Sequence, residues 1–411
     1  MINIDLLQYI QYIPYMLLIL IIVIILIMAF IRIKFKFWAV QPVFHIYDIG
    51  YMFFPPGIIS QDLPMENKYC NFKNIETIQY NEVSELKISK FVNFIKLHYL
   101  QNNDNVFSPK KENIFPYFSN HANMSLFSFY TEPVKLMDMK NDAVVEDSKI
   151  VGVMTTRPIN IQINSKNTNK NETNFVAYYV DYLCVDKSYR KKGIAPQIIQ
   201  THHYNQRRLN KDVYVSLFKR EGKLTGIVPL CAYYTYGFSV NKWGKPKNID
   251  GAYSLLEITE QNFHLLLDYI KSNSDNFDIL ATTHIPNMIE LMKTKNIFIY
   301  VVFFNNLIKS AYFYRKTCTF ITKNMEALCC FGSINTCDDN HIFIQGFKCS
   351  FWLTADKNMF GFASIENISH NNVIIKHLLI RNHPLIISPT AYFFYNFAYQ
   401  TFHPEKVLFI N

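Results

Sequence analysis

A short basic loop between a predicted strand and a predicted helix is the part of the chain best suited to chemistry. The loop reads Arg190-Lys191-Lys192-Gly193-Ile194-Ala195, and Pro196 follows it. Aromatic and β-branched residues over 175–185 predict a strand, while Pro196 suits the first turn of a helix. Free N–H groups and the positive dipole end of a helix N-terminus favour anions, so the loop could hold a pyrophosphate. A solvated charge run on a surface loop is the plainer interpretation.

The composition describes a folded protein with room for two or three domains. Half of the 411 residues are apolar and aromatic residues make up 16%, which excludes a disordered chain. The formal charge is +9, but the Lys and Arg residues are scattered rather than gathered in a basic stripe. Nucleic acid is therefore not expected as a partner, and a membrane surface or an anionic cofactor explains the charge as well.

The cysteines and histidines form no recognisable disulfide or metal pattern. The eight cysteines lack CxxC spacing, which indicates reduced and mostly buried residues of a cytosol-facing protein. Cys184 lies in the predicted strand, so we expect it to be a core residue rather than a nucleophile. His202 and His203 are adjacent on the predicted helix, where neighbours point to different faces and make a poor metal pair. No metal site is predicted.

An apolar segment near the N-terminus predicts a membrane anchor. Residues 10–33 are almost wholly apolar, and about 20 such residues cross the hydrocarbon core of a bilayer. The segment lacks the basic start and the small-residue cleavage site of a signal peptide. Arg32, Lys34 and Lys36 follow it, so the positive-inside rule predicts a single-pass membrane protein with most of the chain in the cytosol. A buried core helix is the alternative.

Separate blocks of the sequence resemble protein N-myristoyltransferases. Residues 36–43 (KFWAVQPV) resemble the family's N-terminal motif KFWxxQPV, and residues 149–163 resemble its strand KLVGFISAIPANIHI. Residues 182–185 (YLCV) are similar to its FLCV motif, and residues 405–411 (EKVLFIN) resemble its closing AEKVGLVLQ. The basic loop also has the Arg-x-x-Gly-x-Ala spacing of GNAT-type acyltransferases. The resemblance spans about residues 34–411.

The resemblance implies an α/β (α+β) fold of two fused GNAT-like halves. Mixed sheets flanked by helices would follow one transmembrane helix in residues 1–33. The N-terminal half, residues 34–245, would hold the acyl-CoA site. The C-terminal half, residues 246–411, would supply the peptide site and the C-terminal carboxylate. Within these halves, the apolar pattern predicts an amphipathic helix over 82–100 and a final strand over 391–398. The apolar residues of that helix pattern are Leu86, Phe91, Phe94, Ile95 and Leu97.

The resemblance also implies a reaction: transfer of a myristoyl group from myristoyl-CoA to the N-terminal glycine amine of proteins. The amine would attack the thioester directly, with no metal. The family's oxyanion hole falls on the backbone N–H groups of Tyr182 and Leu183, which at a strand irregularity would be preorganised against the developing charge. The family's base is the carboxylate of the last residue, here Asn411. Because an α-amine has a pKa near 7.7–8.0, a fixed carboxylate suffices to accept its proton.

Further contacts follow from the same resemblance. We expect acyl-CoA to be held by the N-terminal motif, the strand end and the basic loop: Phe37, Trp38, Tyr182, Leu183, Cys184, Val185, Arg190, Lys191, Lys192, Gly193, Ile194, Ala195 and Pro196. We expect the acceptor peptide to be contacted by Tyr99, Asp104, Val106, Phe107 and Val215. The sequence departs from the family here. Asp104 is all that remains of an acidic run, and Val215 and Thr235 replace a threonine and a histidine.

Three functions therefore stay open. The first is a membrane-anchored glycylpeptide N-tetradecanoyltransferase whose catalytic part is monomeric and whose partners are proteins with an N-terminal glycine and the bilayer. The second is a GNAT acyltransferase that uses acetyl-CoA or another acyl chain. The third is a catalytically silent relative that serves as a membrane or virion component. The N-terminal and closing motifs favour the first, and the changes at Val215 and Thr235 favour the third.

Overall fold

The computed structural model describes residues 12–100, 105–137, 144–164, 173–222, 226–241, 243–322 and 325–411. The helices of this part are α1 (Ile13–Lys34), α2 (Ile49–Phe53), α3 (Glu85–His98), α4 (Lys111–Ile114), α5 (Ile194–Leu209), α6 (Phe263–Ser272), α7 (Ile285–Lys293), α8 (Asn340–Asn358) and α9 (Asn371–Leu379). Its strands are β1 (Gly57–Ile58), β2 (Ile75–Gln79), β3 (Val106–Phe107), β4 (Leu126–Met137), β5 (Val144–Ile163), β6 (Thr173–Val185), β7 (Val215–Glu221), β8 (Cys231–Ser239), β9 (Tyr253–Glu257), β10 (Ile279–Thr282), β11 (Ile297–Phe304), β12 (Leu307–Thr322), β13 (Met325–Asn335), β14 (Phe360–Glu366), β15 (Ile386–Tyr395), β16 (Phe397–Ala398) and β17 (Val407–Ile410).

One mixed sheet organises the molecule. Among the described strands, 15 join in the order β17-β10-β5-β6-β7-β15-β8-β14-β13-β12-β11-β9, with β4 and β2 branching from β5 and β3 from β12. The pairs β6–β7, β10–β17 and β13–β14 are parallel. Many strands are continuous apolar runs because helices cover the sheet and leave them little contact with water. A large mixed sheet flanked by helices confirms the predicted fold class.

The two halves of the chain exchange strands. β15, from the C-terminal half, lies between β7 and β8 of the N-terminal half and pairs antiparallel with both. At the other end, β10 pairs with β5 and carries β17 on its far side. Strands of residues 246–411 thus stand on both sides of strands of residues 34–245. The division near residue 245 stays a prediction about the chain, but the sheet is continuous across it.

The helix α1 is long and apolar enough to cross a membrane. It has 22 residues and a mean hydropathy of 3.3, and its side chains are largely exposed. A signal sequence near an N-terminus would meet the same criteria. The buried residue of α1 is Ile31, which packs against Gly226, where a Cβ atom would lie 2.9 Å from the Ile31 Cδ1 atom. Residues 10 and 11 of the predicted span lie outside the described residues.

The amphipathic helix predicted over 82–100 is α3, which is shorter than predicted and leaves some of its apolar residues exposed to solvent. It begins at Glu85 because the Ser84 hydroxyl accepts the backbone N–H of Lys87 and caps the helix. Phe91 is buried as expected, whereas Leu86 is two-thirds exposed, at 67%. Leu97 is exposed as well, which corrects the predicted apolar face.

Two predicted boundaries also need correction. The helix after the basic loop begins at Ile194 rather than at Pro196, since Gly193 caps it in a left-handed conformation with φ of +77°. Pro196 is tolerated in the first turn, where its missing N–H has no helical acceptor. The strand predicted over 391–398 is β15 followed by β16, and it is not the last strand, because β17 inserts parallel to β10.

Candidate active site

A β-bulge interrupts the pairing of β5 with β6 at the position of the expected oxyanion hole. Met154 pairs with Leu183 and Thr156 with Val180, so the two β6 residues between them face Thr155 alone. Those two residues are Asp181 and Tyr182. The backbone N–H of Tyr182 donates to the Thr155 side-chain hydroxyl at 3.2 Å. The strand irregularity is therefore present where the resemblance requires it.

Two cavities meet at this bulge. The first, here the α5 cavity, has a volume of about 470 Å³ and lies between α5, β6 and β7. The second, the β12 cavity, has a volume of about 350 Å³ and is bounded by β6, β8, β12 and β14. Leu183 lines the first cavity and Tyr182 lines the second. The wall common to both is formed by Tyr99, Leu100, Tyr179, Asp181, Lys219 and Glu221.

A buried ion pair supports the common wall. The Arg157 guanidinium is fully buried and its Nε atom donates to the Asp181 carboxylate at 3.0 and 3.2 Å. The rings of Tyr117 and Tyr179 cover the guanidinium, with centroids 5.3 and 5.2 Å from its carbon. Burial raises the pKa of Asp181, and Arg157 only partly offsets this rise. The bulge thus carries a carboxyl group that is costly to keep ionised.

A second buried cluster lies at the β12 cavity. Glu366, at the end of β14, accepts hydrogen bonds from Lys219 Nζ at 2.7 Å, from the Tyr233 hydroxyl at 2.7 Å and from Arg315 Nη2 at 3.4 Å. Burial alone would raise the pKa of Glu366, but Lys219 and Arg315 hold it below its ordinary value. Glu366 in turn keeps the pKa of Lys219 above its ordinary value despite burial. The cluster is therefore ionised, with one carboxylate paired to two cations.

The last residue reaches the same cluster. Asn411 is 1% exposed, and its main-chain oxygen accepts a hydrogen bond from Arg315 Nη1 at 3.3 Å. The preceding strand β17 holds it there, since the Ile410 carbonyl accepts the N–H of Thr283 at 3.0 Å. Arg315 therefore bridges Asn411 and Glu366. The catalytic role of Asn411 stays a prediction, but the residue is buried and fixed rather than a frayed end.

The residues predicted to hold acyl-CoA fall into two groups. Trp38 lines the α5 cavity and stacks on Phe218, with ring centroids 5.8 Å apart. Phe37 instead packs edge-on against Trp38 and against Tyr69. Cys184, Val185 and Ile194 are buried in the core rather than on a cavity wall. Burial raises the pKa of the Cys184 thiol to about 12, which makes it inert as a nucleophile.

The basic loop is exposed at the N-terminus of α5. Lys191 and Gly193 have positive φ of 65° and 77°, and both residues face solvent, as does Lys192. The guanidinium of Arg190 donates to the carbonyls of Val185 at 3.3 Å and His98 at 2.8 Å, which anchors the loop to α3. Ala195 and Pro196 are half-buried in the first turn of the helix. The loop is thus accessible to an anion.

The predicted acceptor residues are not all at a cavity. Tyr99 lines both cavities and donates its hydroxyl to the Asp181 carbonyl at 3.2 Å, and Phe107 lines the β12 cavity. Val106 is half-exposed on β3 and lines neither. Val215 is 1% exposed inside the core, and its neighbour on β7 lines the α5 cavity instead. Asp104 lies outside the described residues.

The altered position Thr235 does lie at the β12 cavity. Its hydroxyl forms a 3.1 Å hydrogen bond with that of Thr390 on the neighbouring strand β15. The Thr235 hydroxyl is therefore held at the cavity wall by its strand neighbour.

The cluster around Glu366 was not anticipated from the sequence. Its three charged members are distant in the chain and meet only because β7, β12 and β14 join one sheet. One signal was present, since Arg315 and Glu366 each fall in or at the end of a largely apolar strand. Charged residues in such strands are rarely buried unless they are paired.

Comparison with known proteins agrees with this architecture. Residues 60–231 match the family model for the N-terminal domain of Myristoyl-CoA:protein N-myristoyltransferase. Saccharomyces cerevisiae N-myristoyltransferase with bound myristoyl-CoA superposes with a TM-score of 0.69 at 12% identity, over 90% of this chain and 94% of that chain. A second structure of that yeast enzyme with myristoyl-CoA gives 0.67 at 13% identity, over 91% of each chain. A search of curated protein sequences gave no match.

The fold is similar to that of N-myristoyltransferase and of tandem GNAT proteins. A tandem GNAT protein from the clavulanic acid biosynthesis pathway also aligns, with a TM-score of 0.50 at 8% identity over 80% of this chain and all of that one. Within this class, the family match over residues 60–231 and the near-complete structural overlap confirm the resemblance to N-myristoyltransferases. Family and fold together imply an acyltransferase that has diverged far in sequence.

Proposed function

We propose that this protein transfers a long-chain acyl group, myristoyl in the family's reaction, from acyl-CoA to the N-terminal glycine amine of a protein. The observation that carries the proposal is the meeting of two cavities at the bulge of Asp181 and Tyr182. With the thioester at this junction, the acyl chain would lie in one cavity and the amine of the acceptor protein would approach from the other. Such a junction suits direct transfer between two substrates bound at once.

The α5 cavity is the proposed donor side. Apolar side chains such as Trp38, Met154 and Phe218 would cover the methylene groups of the acyl chain. The basic loop at residues 190–193 would bind the pyrophosphate, because Lys191, Lys192 and the N-terminus of α5 are exposed together. The proposed donors to the thioester oxygen are the N–H groups of Tyr182 and Leu183. The first of these is held by a long bond of 3.2 Å to Thr155, which a developing oxyanion would outcompete.

The β12 cavity is the proposed acceptor side. The amine would attack the thioester carbon, the carbon–nitrogen bond would form, the carbon–sulfur bond would break, and the thiolate of CoA would leave. The terminal carboxylate of Asn411 would take the amine proton. Glu366 compensates Lys219 and Arg315, and Arg315 would hold the Asn411 carboxylate in place through the 3.3 Å hydrogen bond to its main-chain oxygen. The described residues contain no group of three or more His, Cys, Asp or Glu placed to bind a metal ion.

We also propose that α1 anchors the protein in a bilayer, with residues 34–411 on the cytosolic side. The length and hydropathy of α1 support this, as do Arg32 and Lys34 in its last turn. Exposed apolar side chains along most of the helix have no protein partner among the described residues. Transfer would then take place next to the membrane surface.

The reaction is tested on the full chain in detergent micelles. The protein is incubated with myristoyl-CoA and a peptide that begins with glycine, and the product is identified by mass spectrometry. We expect a mass gain at the N-terminal amine, and none with the same peptide N-acetylated. The changes at Val215 and Thr235 favour a second candidate, a silent relative. Tight acyl-CoA binding without product would establish that alternative and contradict the proposed function.

A further inference from the structure

The segment 46–54, which includes α2, presents a group of apolar side chains to solvent. Its sequence is IYDIGYMFF, and five of its residues are large, apolar and between 42% and 84% exposed: Ile46, Ile49, Met52, Phe53 and Phe54. Single exposed apolar residues are ordinary on a protein surface and need no explanation. Five of them within nine residues form a patch, and such patches mark contacts with membranes or other proteins.

The single charge of this segment is held against the protein rather than among the apolar side chains. The Asp48 carboxylate accepts the backbone N–H of His45 at 2.9 Å and lies 3.3 Å from His45 Nδ1. On the same inner side, the Tyr51 ring packs edge-on against the buried Phe44 ring, with centroids 5.8 Å apart. One side of the segment is therefore fixed to the body of the protein, and the other side is apolar.

The segment lies beside the last turn of α1. The Arg32 side chain, in that turn, donates a hydrogen bond to the Tyr47 side chain. Ile31 packs against Gly226, and the Gly226 carbonyl accepts the backbone N–H of Ile46 at 3.1 Å. Basic residues at the end of a membrane-spanning helix lie at the level of the lipid headgroups. With α1 in a bilayer, the contact of Tyr47 with Arg32 brings the segment to that same level.

We propose that the segment 46–54 is a second membrane contact, whose apolar side chains enter the boundary between headgroups and acyl chains in the leaflet where α1 ends. This inference rests on the anchor proposed for α1. Interfacial segments bury their apolar face about 5–10 Å into this boundary, and aromatic residues such as Phe53 and Phe54 suit it. The bilayer is favoured over a protein partner because α1 already tethers the segment there, which makes insertion an intramolecular step.

The second contact holds the α5 cavity beside the bilayer. His45, which directly precedes the segment, donates from Nε2 to the Trp38 carbonyl at 2.9 Å and pairs with Ile227 across a β-bridge. Trp38 and Ile227 both line the α5 cavity. Through α1 alone the body is attached to the membrane at one point, whereas two contacts fix its orientation. An acyl chain that leaves the cavity then meets the membrane directly.

The test is lipid quenching of tryptophan fluorescence in the full chain. Phe54→Trp is reconstituted into vesicles of lipids brominated on their acyl chains, either near the headgroup or near the chain end. Leu385→Trp is the matched control, since Leu385 is 66% exposed and its N–H donates to Gly237, at the end of β8 remote from Gly226. The quenching of the native tryptophans is subtracted with the wild type. We expect at least about twofold more quenching in Phe54→Trp than in the control, strongest with bromine near the headgroup.

Leu20→Trp, in the middle of α1, separates failure of this inference from failure of the anchor. Quenching of Leu20→Trp with no more quenching of Phe54→Trp than of the control would overturn the inference and leave the anchor intact. Quenching at neither position would overturn both. Blue-shifted emission of Phe54→Trp without lipid quenching would mean that a protein surface covers the segment, and would also overturn the inference. The readout is independent of acyl transfer.

A charge at the neighbouring position checks that insertion causes the quenching. Phe53→Glu, added to Phe54→Trp, should remove the extra quenching, because a carboxylate resists transfer out of water. Phe53→Leu in the same background is the matched control and should keep it. Because Phe53 is 73% exposed, neither change disturbs the core. Equal quenching in the two double variants would overturn the inference.

Discussion

At the scale of single residues, the β12 cavity depends on Glu366. Its carboxylate is 2% exposed and compensates both Lys219 and Arg315, which come from different strands. Arg315 also donates a hydrogen bond to the main-chain oxygen of Asn411, the residue proposed to supply the base. Removing the carboxylate would therefore leave two cations in a confined site and loosen the contact to the chain end. This makes Glu366 a positioning residue as well as a structural one.

Replacing Glu366 with glutamine should destabilise the protein markedly. We expect Glu366→Gln to lower the free energy of unfolding by about 3–5 kcal/mol, because breaking a buried ion pair leaves uncompensated charge. The measurement is thermal or urea unfolding in detergent. Glu260→Gln is the control, since the pair of Glu260 with Lys293 is half-exposed on both sides and should matter by about 1 kcal/mol or less. Equal losses in the two variants would contradict the role of Glu366.

The same substitution should change how stability depends on pH. The pKa of Glu366 is lowered by folding, so its contribution is present above the unfolded-state pKa and is lost as the pH falls through the lower, folded-state pKa. Stability of the wild type should therefore fall more steeply than that of Glu366→Gln below about pH 4.3. Asp181 acts in the opposite direction because its pKa is raised, so the two proteins must be compared with each other. Parallel curves would contradict the prediction.

At the scale of elements, the turn from β6 into α5 contains two residues with positive φ, Lys191 and Gly193. Gly193 has φ of +77° and a Cβ atom there would meet no neighbour within 4 Å, so conformation rather than space selects glycine. Lys191, with φ of +65°, already bears the cost of this conformation. The loop is therefore held in one shape at the start of a 16-residue helix.

Gly193→Ala should weaken CoA binding more than it weakens the fold. The left-handed conformation costs a non-glycine residue roughly 1–2 kcal/mol, and relaxing it would turn the loop N–H groups away from the pyrophosphate. Gly57→Ala is a matched control, since Gly57 has a similar φ of +75° and lies in β1 outside both cavities. We expect similar losses of melting temperature in both variants, with weaker CoA binding in Gly193→Ala alone. Equal CoA affinity in the two would argue against the loop as the pyrophosphate site.

The helix α1 gives a second prediction at this scale. The full chain, reconstituted into vesicles, should stay with the lipid after alkaline extraction, because burying a run of apolar side chains in hydrocarbon is strongly favourable. Replacing Leu20 and Ile24 by arginine should release the protein into the soluble fraction, whereas replacing both by alanine should not. Extraction of the wild type by alkali would show that α1 does not span the bilayer. Protease added outside vesicles would report on which side residues 34–411 lie.

At the scale of the whole molecule, strand exchange should make the halves inseparable. β15 separates β7 from β8, so residues 34–245 alone would lack the strand that joins their own sheet. We expect this fragment to lack cooperative unfolding by circular dichroism, because unpaired strand edges and an exposed core remain. Co-expression with residues 246–411 should restore it. Independent cooperative folding of residues 34–245 would show that the exchange is dispensable.

The sequence by itself determined the class of fold, and it predicted the outline of a donor site. Local features sufficed for this prediction, because the strand 175–185, the basic loop and the helix after it are contiguous in the chain. The residue types of each segment indicate its backbone conformation. The apolar run of α1 could be read in the same way. The resemblance predicts an irregular strand at Tyr182 and Leu183, and the bulge of β6 includes Tyr182 and ends directly before Leu183.

What only the tertiary structure decided is which distant residues share a cavity. The cluster of Lys219, Arg315 and Glu366 exists because three strands join one sheet, and Val215 faces the core because of the register of β7. A shift of one residue along a strand exchanges the two faces, so spacing along the chain cannot settle such a position. The α5 face that carries His202, His203 and Gln206 has the same origin. Only packing against the sheet turned that face toward the α5 cavity.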